Sequence, residues 1–116
     1  MLKQLLGKFA ENRAEKMLAA AGLRTLHRNY RCRQGEIDII AQDGDTLVFV
    51  EVRSRSRRDY GSAAESITAA KQRRIIAAAR HYLSTLPRMP ACRFDAVVLD
   101  GEDEPVWIKS AFEDVG

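Results

Sequence analysis

The sequence predicts an α/β domain built on a mixed β-sheet. Hydrophobic patterning gives a helix, three strands, a second helix and two final strands, in that order. Residues 35–53 read as two strands joined by a polar turn, and both are apolar on both faces, which is typical of central strands. A chain of 116 residues is long enough for one hydrophobic core, so we expect a single domain over residues 1–116.

The composition is that of a soluble globular protein. Hydrophobic residues make up 46% of the chain and charged residues 30%. No apolar run approaches the roughly 18 residues that a membrane span requires, and the charged N-terminal stretch does not fit a secretory signal. Cys32 and Cys92 form no CxxC motif. We therefore expect a reducing, cytoplasmic location and no membrane partner.

The net charge of +3 is unevenly distributed. Residues 100–116 contain six acids and one lysine, a balance of −5, so residues 1–99 carry +8. A basic body of this kind is compatible with a polyanionic partner, although it is also common in proteins that have no such partner.

The first element is predicted as an amphipathic helix over residues 2–21, with Gly22 as a stop signal. Glu11 lies at the edge of its apolar stripe, where it either reaches inward across the sheet or stays in solvent as an ordinary helix acid. The stripe that is expected to face the core consists of Leu2, Leu5, Leu6, Phe9, Met17 and Leu18.

Residues 24–31 predict a basic first strand that leads towards the hairpin. His27 has no partner that the sequence identifies, so we interpret it as structural or exposed. Gly35 is expected to allow a bend or a close backbone approach just before the hairpin. Glu36 lies on the same strand face as Asp38 by parity, which makes it a candidate secondary acid, although the family resemblance described below implies a structural role.

The hairpin turn, residues 43–45, allows two registers. With residues 44–45 as the loop, Asp38 lies opposite Glu51; with residues 43–44 as the loop, Asp38 is diagonal to Glu51. Because strand side chains alternate with a period of two, both registers place the two acids on one sheet face.

Two carboxylates on one face repel each other, by about 4 kcal/mol at a separation of about 4 Å and an effective dielectric constant near 20. A divalent cation such as Mg²⁺ would offset this repulsion directly, and Arg53 would offset it more weakly. The alternative is an exposed hairpin face with solvated acids. The apolar residues on both faces argue against that alternative, because buried acids cost free energy unless they are paired or coordinated.

A basic loop without apolar periodicity follows Arg53. Beside a carboxylate pair such a loop is a candidate phosphate-binding element, and its alternative is a solvated connection. Tyr60 either stacks on a base or covers the core. The candidate nucleic-acid contacts of this loop are Arg55, Arg57, Arg58 and Tyr60.

A second helix is predicted over residues 69–86. Ser62 with Glu65 offers one N-terminal cap and Thr68 offers a later one. Its buried stripe is expected to consist of Ile75, Ala78, Ala79, Tyr82, Leu83 and Leu86.

Basic residues crowd the start of this second helix. Lys71 lies one turn before Ile75, near the buried stripe, so it can point towards the acid pair. Arg73 and Arg74 take other directions and are candidate phosphate contacts, or else an ordinary basic helix surface. Two further strands are predicted, one at residues 93–101 and one at residues 106–112, and Asp95 at the start of the first is interpreted as a structural acid.

The strings GEIDIIA at residues 35–41 and FVEVR at residues 49–53, with the gap between them, resemble the YraN-like proteins, relatives of Holliday-junction resolvases within the PD-(D/E)xK nuclease superfamily. The resemblance runs from the first helix almost to the C-terminus. Further matching strings are Ala10-Glu11, RNYR at 28–31, Tyr60-Gly61, KQRR at 71–74, RFD at 93–95 and WIKSAF at 107–112.

This resemblance implies a restriction-endonuclease-like core, with a mixed central sheet flanked by helices. It implies an endonuclease that uses Mg²⁺ or Mn²⁺ to hydrolyse phosphodiester bonds in DNA, including branched DNA, and that acts as a homodimer. The implied metal ligands are Asp38, Glu51, the main-chain carbonyl of Val52 and, assisting them, Glu11. Asp38 and Glu51 are also implied as catalytic residues.

The chain departs from the family pattern at Arg53, where a lysine is expected. Arginine stays protonated and cannot act as a base, although it can stabilise developing phosphate charge. Lys71 is the candidate to supply the missing ammonium group from the second helix. Two hypotheses follow: a metal-dependent nuclease, and a nucleic-acid-binding protein that keeps the nuclease fold but cuts weakly or not at all. A protein-interaction domain is a third.

Overall fold

The computed structural model describes residues 2–55, 67–101 and 103–114. The predicted order of helices and strands is confirmed. Residues 56–66, which include the cap proposed at Ser62 and most of the basic loop, lie outside the described part of the chain. The elements are α1 (Leu2–Ala20), β1 (Arg24–Cys32), β2 (Gly35–Asp43), β3 (Thr46–Arg55), α2 (Ala69–Leu83), β4 (Ala91–Asp100) and β5 (Val106–Phe112).

The five strands lie side by side in sequence order, β1-β2-β3-β4-β5. β3 and β4 are parallel and the other neighbouring pairs are antiparallel, so the predicted mixed sheet is confirmed. α2 provides the crossover that a parallel pair requires. No helix in the described residues is long and apolar enough to cross a membrane.

Each face of the sheet is covered by one helix. Leu47 and Phe49 of β3 pack in a cluster with α2, whereas Val48 and Val50 pack in a separate cluster with α1. This alternation is the period of two that a strand buried on both faces must have. The interpretation of β3 as a central strand is therefore confirmed.

The first of the two hairpin registers is the one observed. Asp43 pairs with Thr46, which leaves Gly44 and Asp45 as the loop. Gly44 has a φ of +59°, the left-handed conformation that the first loop position of a type II′ turn requires.

α2 begins where the sequence predicts and ends three residues earlier. The Thr68 hydroxyl caps it by accepting a hydrogen bond from the Lys71 backbone N–H at 3.1 Å. After Leu83 the chain continues as a tight turn in which the Leu86 N–H donates to the Leu83 carbonyl. The predicted end at Leu86 is wrong because the residue before a proline disfavours helical backbone, and Pro87 follows. Leu86 still packs against the α2 side of the core.

The core contact of α1 differs from the prediction. Ala10, Ala14 and Leu18 are the buried residues of this helix, with Met17 packed partly against the same cluster. The stripe predicted to face the core is therefore wrong for its N-terminal half, because Leu2, Leu5, Leu6 and Phe9 lie on another side of the helix and are exposed. Small alanines let α1 approach the sheet closely. Its middle is fastened by Arg13, which donates to the carbonyls of Gly101 and Asp103 at 2.9 and 2.8 Å.

Asp95 is fully buried and hydrogen-bonded, so its interpretation as a structural acid is confirmed. Its carboxylate accepts hydrogen bonds from Arg93 Nε at 3.1 Å, from Trp107 Nε1 at 3.0 Å and from the Ser110 N–H at 2.9 Å. These bonds hold β4 and β5 together where their register shifts, between Phe94 and Ala96.

Both outer strands are irregular. β1 carries a register shift between Thr25 and His27, and Asn29 has a φ of +55°. On the other edge, Ser110 of β5 has a φ of +52° beside the β4–β5 shift. Bulges of this kind interrupt the row of backbone groups that an edge strand presents.

Candidate functional site

The candidate site lies where β2 and β3 separate. Their backbone ladder runs from Asp43–Thr46 to Ile39–Val50. Beyond it, the Val52 N–H donates to Oδ2 of Asp38 at 2.8 Å. In a continued antiparallel ladder that N–H would bond to a main-chain carbonyl of β2. The Asp38 side chain therefore takes the place of a backbone acceptor at the opening of the hairpin.

Alternation along β2 is interrupted at Asp38. Ile37 and Ile40 both pack in the cluster beside α2, whereas Ile39 packs in the cluster beside α1. On the neighbouring strand β1, Asn29 has a positive φ. It lies between Arg28, which pairs with Ile39, and Tyr30, which pairs with Ile37. The prediction that Asp38 and Glu51 share a sheet face assumes that side chains alternate regularly along β2. This alternation does not hold at Asp38. The two acids nevertheless interact electrostatically, because the charge of Glu51 raises the pKa of Asp38.

Glu51 is the more deeply buried of the two acids, at 4% exposure. Nζ of Lys71, in the first turn of α2, lies 2.9 Å from its Oε1. Burial raises the pKa of Glu51, while the hydrogen bond and the charge of Lys71 act in the opposite direction. The structure thus brings Lys71 to the acid pair, a contact that the sequence allows but does not fix.

Asp38 titrates far from its ordinary range. Burial and then the repulsion from Glu51 raise its pKa from 3.8 to about 7, against the opposing effects of the Val52 N–H and of Lys71. Near neutral pH Asp38 is therefore only partly ionised, and the site holds less negative charge than two fully ionised carboxylates would give. Lys71 alone does not neutralise the pair, and further positive charge would stabilise its fully ionised form.

Glu11 approaches this site from the α1 side and is held by another partner. It accepts a hydrogen bond from Arg28 Nη2 at 3.2 Å, and Arg28 also lies 3.6 Å from Glu15. The charge of Glu11 raises the pKa of Asp38, and both acids line an open cleft of about 510 Å³.

The described residues contain no cluster of three or more histidine, cysteine, aspartate or glutamate side chains arranged to hold a metal ion. Glu11 is thus not assembled with Asp38 and Glu51 into a three-acid site. A metal ligand set would have to start from Asp38 and Glu51 with main-chain groups.

Arg53 lies beside Glu51 and lowers the pKa of that acid. Its Nε is buried without a hydrogen-bond partner among the described residues. A buried donor without an acceptor costs free energy, and the guanidinium group that carries it is the type that matches phosphate oxygens. The half-buried Val52 contributes its N–H to Asp38, and the metal-binding role of its carbonyl stays a prediction.

Of the remaining predicted nucleic-acid contacts, Arg74 and Arg73 line two different clefts. Arg74 is exposed and lines a cleft of about 310 Å³ together with Lys71, Arg31 and Glu36. Arg73 instead lines a separate groove of about 800 Å³ on the outer side of α2. The side chain of Arg55, and the whole of Arg57, Arg58 and Tyr60, lie outside the described residues.

Two cations beside the site were missed by sequence reasoning. Lys8 of α1 lines the cleft that contains Asp38, and Arg31 of β1 lines both clefts. Arg31 pairs with Glu36 at 3.1 Å, a contact that follows from the β1–β2 register. The basic character of β1 was the only signal for Arg31, and Lys8 gave none beyond its charge.

Fold and site together define a class: an α/β protein with a five-stranded mixed sheet between two helices and, at the end of its central hairpin, an acid pair of which Glu51 is buried and Asp38 half-buried. The chain belongs to the uncharacterised protein family UPF0102, whose sequence model matches residues 10–99. The predicted membership of the YraN-like family is therefore confirmed.

Relatives in this family are similar over nearly their whole length. A UPF0102 protein of Nitrosospira multiformis is 53% identical over 115 residues, covering 97% of both chains. One of Cupriavidus taiwanensis is 56% identical over 113 residues, covering 96% of this chain and 85% of the relative. One of Dechloromonas aromatica is 57% identical over 106 residues, covering 91% and 87%.

Proposed function

We propose that this protein is a metal-dependent endonuclease that hydrolyses phosphodiester bonds in DNA, with branched DNA of the Holliday-junction type as the preferred substrate. The observation that carries the proposal is the acid pair at the opened end of the β2–β3 hairpin, formed by the half-buried Asp38 and the buried Glu51. The resemblance of the hairpin motifs to the PD-(D/E)xK superfamily supports the same assignment and a restriction-endonuclease-like fold.

The residues present fit a divalent cation in charge and ligand type. Burial raises the pKa of both acids, and the charge of Glu51 raises that of Asp38 further, so a cation that binds their ionised forms would remove an unfavourable interaction. Carboxylate oxygens are the ligands that Mg²⁺ takes from proteins, usually one or two per site with water and phosphate oxygens completing the shell. Asp38 and Glu51 would hold Mg²⁺ or Mn²⁺, with the Val52 carbonyl as a further ligand. Glu11 on α1 would assist through its negative charge, which already acts on Asp38. The ion would supply Lewis acidity and an activated water.

The chain's own cations have separate tasks in this proposal. Lys71 orients Glu51 and provides the ammonium group that the family pattern expects at position 53. Arg53 stays protonated and would bind the phosphate through its guanidinium group, whose Nε has no hydrogen-bond partner among the described residues. Arg31 and Arg74 flank the clefts beside the acid pair and hold the DNA backbone on either side of the cleaved bond.

A second candidate function is nucleic-acid binding without cleavage. It is favoured by Arg53, which cannot accept a proton, and by the engagement of Lys71 with Glu51. In that case the acid pair would survive as part of the fold, and the cations around it would bind phosphates.

A cleavage assay separates the two functions. A labelled four-way junction and a linear duplex of the same arm sequence are incubated with the protein in Mg²⁺, in Mn²⁺ and in EDTA. We expect metal-dependent cutting that falls by at least about 100-fold in Asp38→Asn and Glu51→Gln. Asp45→Asn, an exposed acid at the far end of the same hairpin, is the matched control and should cut like the parent.

The other outcomes are equally informative. Salt-sensitive binding of DNA without cutting supports the second function, and a gain of cutting in Arg53→Lys then locates the defect at that position. Absence of DNA binding even at low salt overturns both functions and leaves a protein-interaction domain.

A further inference from the structure

Arg28 holds the carboxylate of Glu11 beside the candidate site. Its Nη2 donates to Oε1 of Glu11 at 3.2 Å and its Nη1 donates to Oδ1 of Asn12 at 3.0 Å, so the guanidinium group bonds two successive residues of α1. The side chains of Arg28 and Glu11 are only 27% and 15% exposed. Exposed ion pairs contribute little because water competes for both partners, but a partly buried arginine that donates hydrogen bonds fixes the orientation of a carboxylate. The Glu11 carboxylate is therefore restrained.

The backbone places Arg28 next to the acid pair. Arg28 pairs with Ile39, the residue directly after Asp38, and Asn29 follows it with a positive φ. Glu11 and Asp38 line the same open cleft, and the charge of Glu11 already raises the pKa of Asp38. Because a glutamate side chain has several torsions, a change of rotamer can move its carboxylate within the cleft while α1 stays in place. The bond to Arg28 opposes this movement.

The acid pair without Glu11 is a weak site for a divalent cation. Lys71 opposes the rise in the pKa of both acids of the pair, and Arg53 opposes it in Glu51, so two cations already offset the charge of the two carboxylates. Glu11 is the acid of α1 whose charge acts on the pair. While Glu11 is bonded to Arg28, its charge is largely balanced within its own ion pair.

We propose that Arg28 is a positioning residue that sets the affinity of the acid pair for a divalent cation by restraining Glu11. The ion binds weakly while Glu11 is bonded to Arg28 and tightly once that bond is broken. This inference rests on the proposed metal site. It assigns to Arg28 a role that differs from fastening α1 to the sheet, because loss of a fastening residue would weaken metal binding, whereas loss of the restraint on Glu11 strengthens it.

The affinity for Mn²⁺ in the absence of DNA tests the proposal, measured at pH 8 from the EPR signal of free Mn²⁺. We expect Arg28→Met to bind Mn²⁺ at least about tenfold more tightly than the parent, the effect of removing one charge-assisted hydrogen bond. Asn12→Ala is the matched control, because it removes the other α1 bond of Arg28 and leaves the bond to Glu11. Its affinity should equal that of the parent.

Circular dichroism shows whether each variant remains folded. Should Arg28→Met not fold, Arg28→Gln replaces it, since glutamine keeps a donor for Asn12 and has no charge with which to hold Glu11. Unchanged or weaker Mn²⁺ binding in a folded Arg28 variant overturns the proposal.

A double-mutant cycle separates restraint of Glu11 from the simple removal of a positive charge. If Arg28 acted only through its field, Glu11→Gln would weaken Mn²⁺ binding by the same factor in the parent and in Arg28→Met. We expect a small factor in the parent and a factor of at least about ten in Arg28→Met, because only there can Glu11 reach the ion. Equal factors overturn the proposal.

Asp38→Asn distinguishes a failure of this inference from a failure of the metal site. If the acid pair holds the ion, Asp38→Asn abolishes Mn²⁺ binding both in the parent and in Arg28→Met. Equal factors in the cycle together with this loss overturn the role of Arg28 alone. Mn²⁺ binding that survives Asp38→Asn, or no Mn²⁺ binding in any variant, overturns the metal site and with it the proposed function.

Discussion

Nζ of Lys71 lies 2.9 Å from Oε1 of Glu51, so the cation that balances the most buried acid of the site comes from α2. Lys71 is in the first turn of that helix, directly after its Thr68 cap. The position of the helix start and the charge state of Glu51 are therefore coupled. A shift of the α2 start would leave a carboxylate that is 4% exposed without its counter-ion.

Replacing the cation should reveal this coupling. We expect Lys71→Met to lower the free energy of unfolding by about 2 kcal/mol at pH 8, because a buried carboxylate loses its charged partner. The loss should shrink towards pH 5, where Glu51, whose pKa burial already raises, can take up a proton. Urea unfolding at both pH values measures this loss in the free energy of unfolding. Lys109→Met serves as an exposed lysine control. An equal loss at both pH values would contradict the ion-pair explanation.

The pH dependence of stability should carry the signature of Asp38. Its pKa is about 7 in the folded protein against an ordinary 3.8, so the folded state holds this proton more tightly than the unfolded chain does. The resulting stabilisation is fully present below about pH 4 and is lost as the pH rises through about 7. Asp38→Asn keeps an acceptor for the Val52 N–H and cannot ionise. We expect its stability to fall less than that of the parent between pH 5 and pH 8.

Thermal unfolding at several pH values makes this comparison, with Asp45→Asn as the control acid. Adding Mg²⁺ at pH 8 should raise the melting temperature of the parent and leave that of Asp38→Asn nearly unchanged, since ligands that bind the native state stabilise it. Identical pH profiles for the parent and Asp38→Asn would show that Asp38 ionises normally.

Gly35 is expected to be intolerant of any side chain. A Cβ at this position would lie 2.5 Å from the main-chain oxygen of Arg74, which confirms the predicted close backbone approach. We expect Gly35→Ala to cost about 1–3 kcal/mol, the usual price of overpacking. Gly7→Ala is the matched control, because a Cβ there meets nothing within 4 Å and should gain about 0.5–1 kcal/mol of helix stability. Chemical denaturation of both variants provides the comparison.

DNA binding, if the proposed function holds, should depend on Arg74. Arg74→Gln should weaken binding at low salt and reduce the slope of log K against log [salt] by about 1, as expected for one lost phosphate contact. Arg88→Gln removes an exposed arginine beyond the other end of α2 and should leave the slope unchanged. Fluorescence anisotropy across a salt series measures both. Equal slopes for the two variants would remove Arg74 from the interface.

Local chemistry explains what could be predicted from the sequence. The position of the turn follows from Gly44, which lies in the loop of both predicted registers, and only the structure selects the Asp43–Thr46 pairing. The start of α2 follows from the hydroxyl of Thr68. The two strands of the central hairpin were recognisable because they are apolar at successive positions. Each of these signals acts over a few residues.

The features that escaped prediction depend on longer-range geometry. The distance between Lys71 and Glu51 is set by the crossover that seats α2 on the sheet, and no local pattern encodes it. The Asp38 side chain can accept the Val52 N–H because the backbone pairing between β2 and β3 ends at Ile39. In α1, the predicted apolar stripe combined residues from two different faces of the helix. The two faces are distinguished only by the angular position of each residue around the helix axis.

The irregular outer strands limit how this protein can assemble. With register shifts and left-handed residues at Asn29 and Ser110, neither border of the sheet offers a long, regular template for the addition of another strand. Open-ended, fibril-like growth through the sheet is therefore disfavoured even in concentrated solution.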